Sequence, residues 1–443
     1  MHVQSLVSVS SNAKPSRFGN RSHEFHPLAI SFVTDACRCS DTLRVWWVGY
    51  GYLMRILHTS DWHLGRTLHG VDLLADQAAY LEHLTQVVQS ERVDAVLVSG
   101  DVYDRAIPPV DAVELLSSAL ARLAEHTRVI LTPGNHDSAT RLGFGAALMT
   151  GKVSVRAKIA QVGQPVEFQS DSGERALIYA LPFLDPDAAR SELSGPDAPL
   201  ARSHEAVMGA AMGRVRADLT ARGGERPAAI VMAHAFVVGG EPSESERDIK
   251  IGGVDSVPAG LFKDLDYAAL GHLHGPQSVG QSQGVVARYS GSPLAYSFSE
   301  MNHKKSTVLL DVGQGGLTKD PELIAAPRSR KLSEVSGRLE DLLGAKGEPF
   351  VDDWLRVFVT DPQRPQEMNS RLKARFPHAL VLQHRPAEGA ARARESITVT
   401  PASNPVEVGA SFVAEVTGHP ATKSEQDVLV QAFDRAKRTE RSN

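Results

Sequence analysis

Cysteine is almost absent: Cys37 and Cys39 are the only two in 443 residues, and both precede Met54. From Met54 onward the chain can form neither a disulfide nor a thiolate metal site, so any metal there must use His, Asp and Asn. Positive charge is not in excess. The net charge is −5, so bulk charge does not point to nucleic acid, and a DNA-binding surface has to be local. No apolar run approaches the ~18 residues of a membrane span, which reads as a cytoplasmic protein with no membrane partner. A nucleotide-phosphate loop is also missing. Gly145 to Lys152 has the outline of one, but its glycine spacing is one residue too long and Val153 stands where Ser or Thr is needed. Any ATP dependence must therefore come from a partner.

The length leaves room for two or three domains. Residues 1–53 show no steady period and look foreign to the rest of the chain, with an aromatic Trp46-Trp47-Val48-Gly49-Tyr50 and no signal-peptide pattern. They are expected to be a non-native extension upstream of a true start at Met54, or else a disordered tail. From 54 to 312 strand-like and helical runs alternate. Strands are expected at 55–59, 95–98, 128–131, 175–180, 229–233, 266–270, 285–290 and 306–311. Helices are expected at 74–88 and 110–124, and a helical insertion at 185–227, above the site or at its edge. This order favours an α/β sandwich with mixed sheets over a plain doubly wound sheet. Residues 313–330 read as a linker. Residues 331–403 read as a small α+β domain, with strands at 355–359 and 379–382 around a polar helix at 366–375. Residues 404–443 read as a helix-loop-helix. Asn404 caps the first helix, with Pro405 at its first position, and Gly418 ends it. Thr422 and Glu425 have capping-box spacing for the second. Val408, Phe412 and Val416 make one apolar face, and Val428, Leu429, Ala432 and Phe433 the other. Two such short helices bury little alone, so they pack on a partner or fold back.

Five clusters carry chemistry: Asp61-Trp62-His63, Gly100-Asp101, Gly134-Asn135-His136-Asp137, His234 and Gly271-His272-Leu273-His274. Each alone reads as a turn or a packed histidine. Together, nearly every one following an apolar run, they read as one site at the edge of sheets. Asp61 and His63, like His272 and His274, are two residues apart, so in extended chain each pair points one way. Oxygen and imidazole donors without thiolate suit Mn²⁺, Fe²⁺ or Zn²⁺. Two such ions ~3.5–4 Å apart can serve an in-line displacement at phosphorus. A carboxylate between them, for which Asp101 is the choice, reduces their repulsion. His136 has no obvious place in either coordination shell and is the candidate general acid. Asp137 is expected to orient a neighbour, and Asp104 to support the site or cap a helix. His58 is expected in the core, and His69, His83 and His126 at the surface.

The order Asp-x-His, Gly-Asp-x-x-Asp, Gly-Asn-His-Asp, His, Gly-His-x-His resembles the calcineurin-like metallophosphoesterases. The stretches His58 to Arg66, Gly100 to Arg105, Pro133 to Asp137 and Tyr289 to Pro293 narrow the resemblance. They are similar to the SbcD family, nuclease subunits of bacterial SbcC–SbcD DNA-repair complexes. The resemblance covers Met54 to about residue 437. It implies a four-layer α/β/β/α sandwich, with one metal on Asp61, His63, Asp101 and His274 and a second on Asp101, Asn135, His234 and His272. It implies His136 as the catalytic histidine outside both shells. It further implies two Mn²⁺ as cofactors, DNA as substrate, a homodimer within a heterotetramer, and an SbcC-like ATPase bound through the C-terminal helices. Where many archaeal and eukaryotic relatives carry a histidine after the Gly-Asp motif, this chain has Asp104. Arg66, beside the metal cluster, can hold a phosphate. Arg371, Lys373, Arg375, Arg385, Arg392 and Arg394 make the second domain locally basic, as a groove tracking a DNA backbone or as a solvated face. The expected activity is hydrolysis of DNA phosphodiesters at ends and hairpins, in repair and recombination. The rivals are a small-molecule or protein phosphoesterase and a scaffold without catalysis.

Overall fold

The computed structural model describes residues 53–149, 151–170, 173–195, 198–246, 256–386, 404–417 and 420–440. The expectations for residues 1–52, Gly418, Arg392 and Arg394 lie outside these.

Strand parity builds the layers, because successive side chains leave a strand on opposite faces. In the strand Met54–Thr59, Met54 and Ile56 enter one apolar cluster and Leu57 another. Ala95 and Leu97 join the first cluster, while Val96 and Val98 join the second. The first cluster lies between two sheets, where it meets Ile178, Ile230, Met232 and Tyr267. The second is covered by the helices Leu74–Glu91 and Val110–His126. Burial on both faces explains why these strands are nearly continuous apolar runs rather than alternating ones.

The first sheet runs Gly316–Leu317, Ser306–Gly313, Met54–Thr59, Ala95–Ser99, Arg128–Thr132, Val153–Val155. Its last four strands are parallel, and Met54–Thr59 pairs antiparallel with Ser306–Gly313. The second runs Gln277–Val279, Ala287–Tyr289, Tyr267–Gly271, Ala228–His234, Arg175–Ala180, Val166–Gln169, with its four central strands parallel. Parallel strands need crossovers, so each is followed by a long excursion that returns to the same end.

The helical insertion forms the fourth layer. Its helices Pro186–Leu193 and His204–Ala221 are capped by Asp185 and Ser203. Val207, Met208, Ala211, Met212 and Val215 pack on Leu177, Tyr179 and Val231. These helices cover the outer face of the second sheet; that face is apolar and has to be buried. The stretch 313–330 is more than a connector. Glu322–Ala325 pairs antiparallel with Ser306–Leu309, and Gly316–Leu317 extends the sheet edge.

A third, parallel sheet of Leu332–Gly337, Trp354–Val359 and Ala379–His384 packs on the helices Leu339–Leu343 and Met368–Arg375. A separate cluster joins it to the site loops: Leu332, Trp354 and Leu380 meet Leu68, Leu73, Tyr296 and Phe298. The helices Pro405–Thr417 and Lys423–Glu440 follow. Asn404 Oδ1 accepts from Val406 N at 3.1 Å. Glu425 accepts from Thr422 N at 2.7 Å while its own N–H donates to Thr422 Oγ1 at 3.4 Å, a complete capping box. Among the described residues no helix is long and apolar enough to cross a membrane.

Candidate metal centre

The parallel strands of both sheets end at one edge, where ligand sites form in α/β folds. Asp61 follows Thr59, Asp101 follows Ser99, Asn135 follows Thr132, His234 ends its strand, and His272 and His274 follow Gly271. The turns are sharp. Asp61 (φ 55°), His63 (46°), Asp101 (46°) and His272 (110°) all have positive φ, a region that side chains avoid. Cross-bonds hold them: Asp61 N donates to Gly100 O at 3.1 Å and His63 N to Asp101 O at 3.0 Å. Two glycines allow the closeness. A Cβ on Gly134 would fall 2.2 Å from Asp101 Oδ1, and one on Gly271 would fall 1.8 Å from Ser99 O.

The side chains expected as ligands meet here. His63 Nε2 and His274 Nε2 are 3.0 Å apart, with Asp61 in the same group. On the other side His234 Nε2 is 2.8 Å from Asn135 Oδ1, and His272 Nδ1 is 3.3 Å from the same oxygen. The Asp101 carboxylate stands between: its Oδ2 is 3.6 Å from His63 Nε2 and 3.4 Å from His234 Nε2. Two imidazole nitrogens on one cation at ~2.1 Å sit about 3.0–3.4 Å apart for octahedral to tetrahedral angles, so the facing pair has the spacing of neighbouring donors. The donor set is all oxygen and imidazole and nearly all buried. That fits divalent first-row metals.

The electrostatics of the cluster agree with this. Burial pushes the Asp61 carboxyl up to about 6. Burial also works against a charge on His234, but the adjacent Asp101 carboxylate outweighs it and holds the ring up to about 9. Burial, aided by His234, presses His272 down to about 3. A site in which buried carboxylates and imidazoles compete for protons is one that a cation can relieve.

His136 lies beside this set. Its Nδ1 must donate to the Asp104 carbonyl at 2.7 Å, and its Nε2 is 4.0 Å from Asp101 Oδ2. Asp137 accepts from the N–H groups of Val102, Tyr103 and Gly134 at 2.9–3.0 Å, so it ties the second and third loops together. Arg66 is moored: Nη2 donates to Ser245 O at 2.8 Å, the guanidinium stacks 5.0 Å from the Tyr296 ring, and Asp104 is 3.6 Å away. His58 is in the core, its Nδ1 3.1 Å from Tyr267 OH. His69 and His126 are exposed, and His83 is half-buried. Two of the basic residues expected in the second domain are paired and one is stacked. Arg371 pairs with Glu340 at 2.7 Å, Arg375 pairs with Glu348, and Arg385 stacks on Phe358.

Other residues that support the site had no signal in the sequence. Gln77 Nε2 donates to His63 O at 2.7 Å from the first helix. Ser245, Glu246, Glu300 and Lys305 surround His274. Each reads alone as an ordinary polar residue. Glu300 is nonetheless only 1% exposed, and although burial would raise its carboxyl, Lys305 and His274 hold it well below the usual range.

Two sheets between helical layers, with histidines, carboxylates and one amide converging at a shared edge, define a metal-dependent phosphoester hydrolase. The family model for Calcineurin-like phosphoesterase matches residues 54–276. The SbcD subunit of the nuclease SbcCD from Bacillus subtilis (strain 168) is 34% identical over 334 residues, which span 72% of this chain and 83% of that one. The chain belongs to the calcineurin-like phosphoesterase family and is SbcD-like within it. A dimetal phosphatase from Danio rerio aligns at 13% identity and a TM-score of 0.37, over 62% of this chain and 99% of that one. The protein TT1561 of Thermus thermophilus aligns at 14% and 0.35, over 62% and 100%.

Proposed function

We propose that this protein is a cytoplasmic DNA nuclease that uses two Mn²⁺ ions. It cuts phosphodiester bonds at DNA ends and hairpins in repair and recombination, with an SbcC-like ATPase. The observation that carries this reading is the Asp101 carboxylate standing between His63 and His234. One ion is assigned to Asp61, His63, Asp101 and His274. The other is assigned to Asp101, Asn135, His234 and His272. When bound, the pair supplies positive charge and an activated water for in-line attack. His136 contributes proton transfer. Its Nδ1–H is committed to the Asp104 carbonyl, so Nε2 is the atom that gives a proton to the leaving oxygen, from the doubly protonated ring, which is left as the neutral Nδ1–H imidazole. Arg66, moored to Ser245 and facing Asp104 beside the metal cluster, is the residue assigned to a substrate phosphate.

Two exposed apolar surfaces support the partners. In the terminal helices Phe412, Val416 and Val428 are 63–68% exposed, apolar positions that suit the ATPase partner. A second surface joins the Ala106 carbonyl to Arg141 at 3.1 Å and exposes Ile107, Val110, Phe144 and Leu148. We assign it to a second copy of this chain, completing a homodimer within a heterotetramer. Arg371 and Arg375 of the second domain are already paired with carboxylates, so the substrate argument rests on the site and on the named relative.

The test is hydrolysis of end-labelled linear and hairpin DNA in Mn²⁺, with and without the ATPase and ATP, against a cyclic nucleotide and a phosphopeptide. Degradation of DNA that depends on Mn²⁺ is expected. Preference for the cyclic nucleotide or the phosphopeptide would replace DNA by the rival substrate class.

A further inference from the structure

The rings around the metal centre are held in different ways. His234 Nδ1 donates to the Ser99 carbonyl at 3.1 Å, and His136 Nδ1 donates to the Asp104 carbonyl at 2.7 Å. In both rings the Nδ1–H follows from the backbone alone, since a carbonyl only accepts. His274 is different. Its Nδ1 is 2.6 Å from Ser245 Oγ, a group that can donate or accept, so this contact by itself fixes nothing. The next link decides. Ser245 Oγ also bonds Glu300 Oε1, and Glu300 forms an ion pair with Lys305.

The hydrogen count then has one solution. The Glu300 carboxylate beside the Lys305 ammonium only accepts. Ser243 Oγ, 3.0 Å from Ser245 Oγ, spends its own hydrogen on Glu246 and is the more distant acceptor, so the single Ser245 hydroxyl hydrogen goes to Glu300 and Ser245 Oγ accepts from His274 Nδ1–H. That leaves His274 Nε2 without a proton, and this is the atom facing His63 Nε2 at 3.0 Å. Ser245, Glu300 and Lys305 are each at least half-buried, so water does not offer the ring an easy alternative. Lys305 also donates to His274 O and to Ser292 Oγ, both at 2.8 Å, and Glu246 accepts from His274 N at 2.7 Å, which fixes the backbone from which the ring swings.

We propose that Lys305, Glu300 and Ser245 form a positioning relay that fixes the tautomer of His274, so that its Nε2 is presented as an unprotonated donor. This deepens the proposed function and rests on its reading of His274 as a ligand. A carboxylate that backs a metal-binding histidine raises ligand basicity and holds the ring, and loss of such support typically costs 10–100-fold in metal affinity. Here the carboxylate acts through a hydroxyl. A residue that merely fills space is therefore distinguishable from one that transmits the hydrogen bond.

The experiment uses the full-length protein stripped of metal. Mn²⁺ affinity is read by calorimetry, and the His274 tautomer by ¹⁵N NMR. Ser245→Ala and Glu300→Gln should each weaken Mn²⁺ binding by about 10–100-fold. Both should shift the His274 nitrogens away from the Nδ1–H pattern, and Ser245→Thr should restore both readouts. If Glu300→Gln fails to fold, Ser245→Ala with its threonine rescue carries the test. Wild-type affinity and an unchanged tautomer in Ser245→Ala, while His274→Ala weakens binding, overturn the relay and leave the ligand reading intact. Wild-type affinity in His274→Ala overturns the ligand reading and the relay with it.

Discussion

His234 and Asp101 form an ion pair whose proton a metal held as proposed would have to displace. With His234 held up to about 9, the ring is protonated at pH 7 when no metal is bound. A ligand imidazole has to be neutral, so Mn²⁺ uptake at pH 7 should release about one proton, and affinity should rise by up to about tenfold per pH unit between 7 and 9. Calorimetry in buffers of different ionisation heat measures the proton, and a flat affinity would remove His234 from the ligand set. The sign for stability is opposite. A folded-state value above the unfolded one stabilises the metal-free protein below about 6.5, and that stabilisation is lost as pH rises through about 9. Removing metal should therefore matter most to thermal stability on the alkaline side. His136 and Asp101 separate by role. His136→Gln should keep Mn²⁺ affinity and lose about 10²–10⁴-fold in turnover, the range of a single proton-transfer group. Asp101→Asn should lose both, because its oxygens reach the rings on either side. Full turnover in His136→Gln would leave proton transfer to another group.

At the scale of elements, the site depends on how tightly strand ends crowd. Gly134 has no room for a methyl group, since its Cβ would sit 2.2 Å from Asp101 Oδ1 and 2.3 Å from Asp101 N. Gly134→Ala should therefore push the Asp101 carboxylate off its position while the strand Arg128–Thr132 and the core behind it persist. The expected outcome is a folded protein by circular dichroism whose Mn²⁺ affinity has dropped by at least about tenfold, in line with disturbed ligand orientation. Retained affinity would show that the loop can shift without cost. The inner strands were legible because both of their faces are buried. Ala95-Val96-Leu97-Val98 needs no partner to announce itself. The edge strands were not. Glu322–Ala325 is mostly exposed and is held by pairing with Ser306–Leu309, a long-range fact that composition does not carry. The same reason hid Ser245 and Glu300, which lie 55 residues apart in sequence and meet beside His274 only once the chain has folded. The Asp, His and Asn cluster was legible because chemistry restricts which residues can serve there. Its supporting residues were not, because many polar side chains could fill those places.

For the molecule as a whole, the surfaces left apolar bear on assembly. Phe144 and Leu148 are 86% and 85% exposed, and Ile107 and Val110 are 68% and 71% exposed on the adjoining segment. Side chains this open contribute almost nothing to the fold of one chain, so polar substitution there should leave monomer stability within about 0.5 kcal/mol. They contribute to association if a second copy covers them, because each fully buried large apolar side chain adds about 1.5–3 kcal/mol. Leu148→Asp together with Phe144→Asp should therefore convert a dimer into a monomer in analytical ultracentrifugation, while Mn²⁺ affinity stays at the wild-type value. The placement has a functional consequence. The segment that carries Ile107 begins three residues after Asp104, whose carbonyl fixes the His136 ring. Pairing of two chains there would stiffen the loop that holds His136, the residue proposed for proton transfer. Turnover in the monomeric variant should fall even on a small phosphodiester that needs only one site. If the variant is monomeric and turnover is unchanged, the surface serves assembly alone. If it remains dimeric, the chains meet elsewhere.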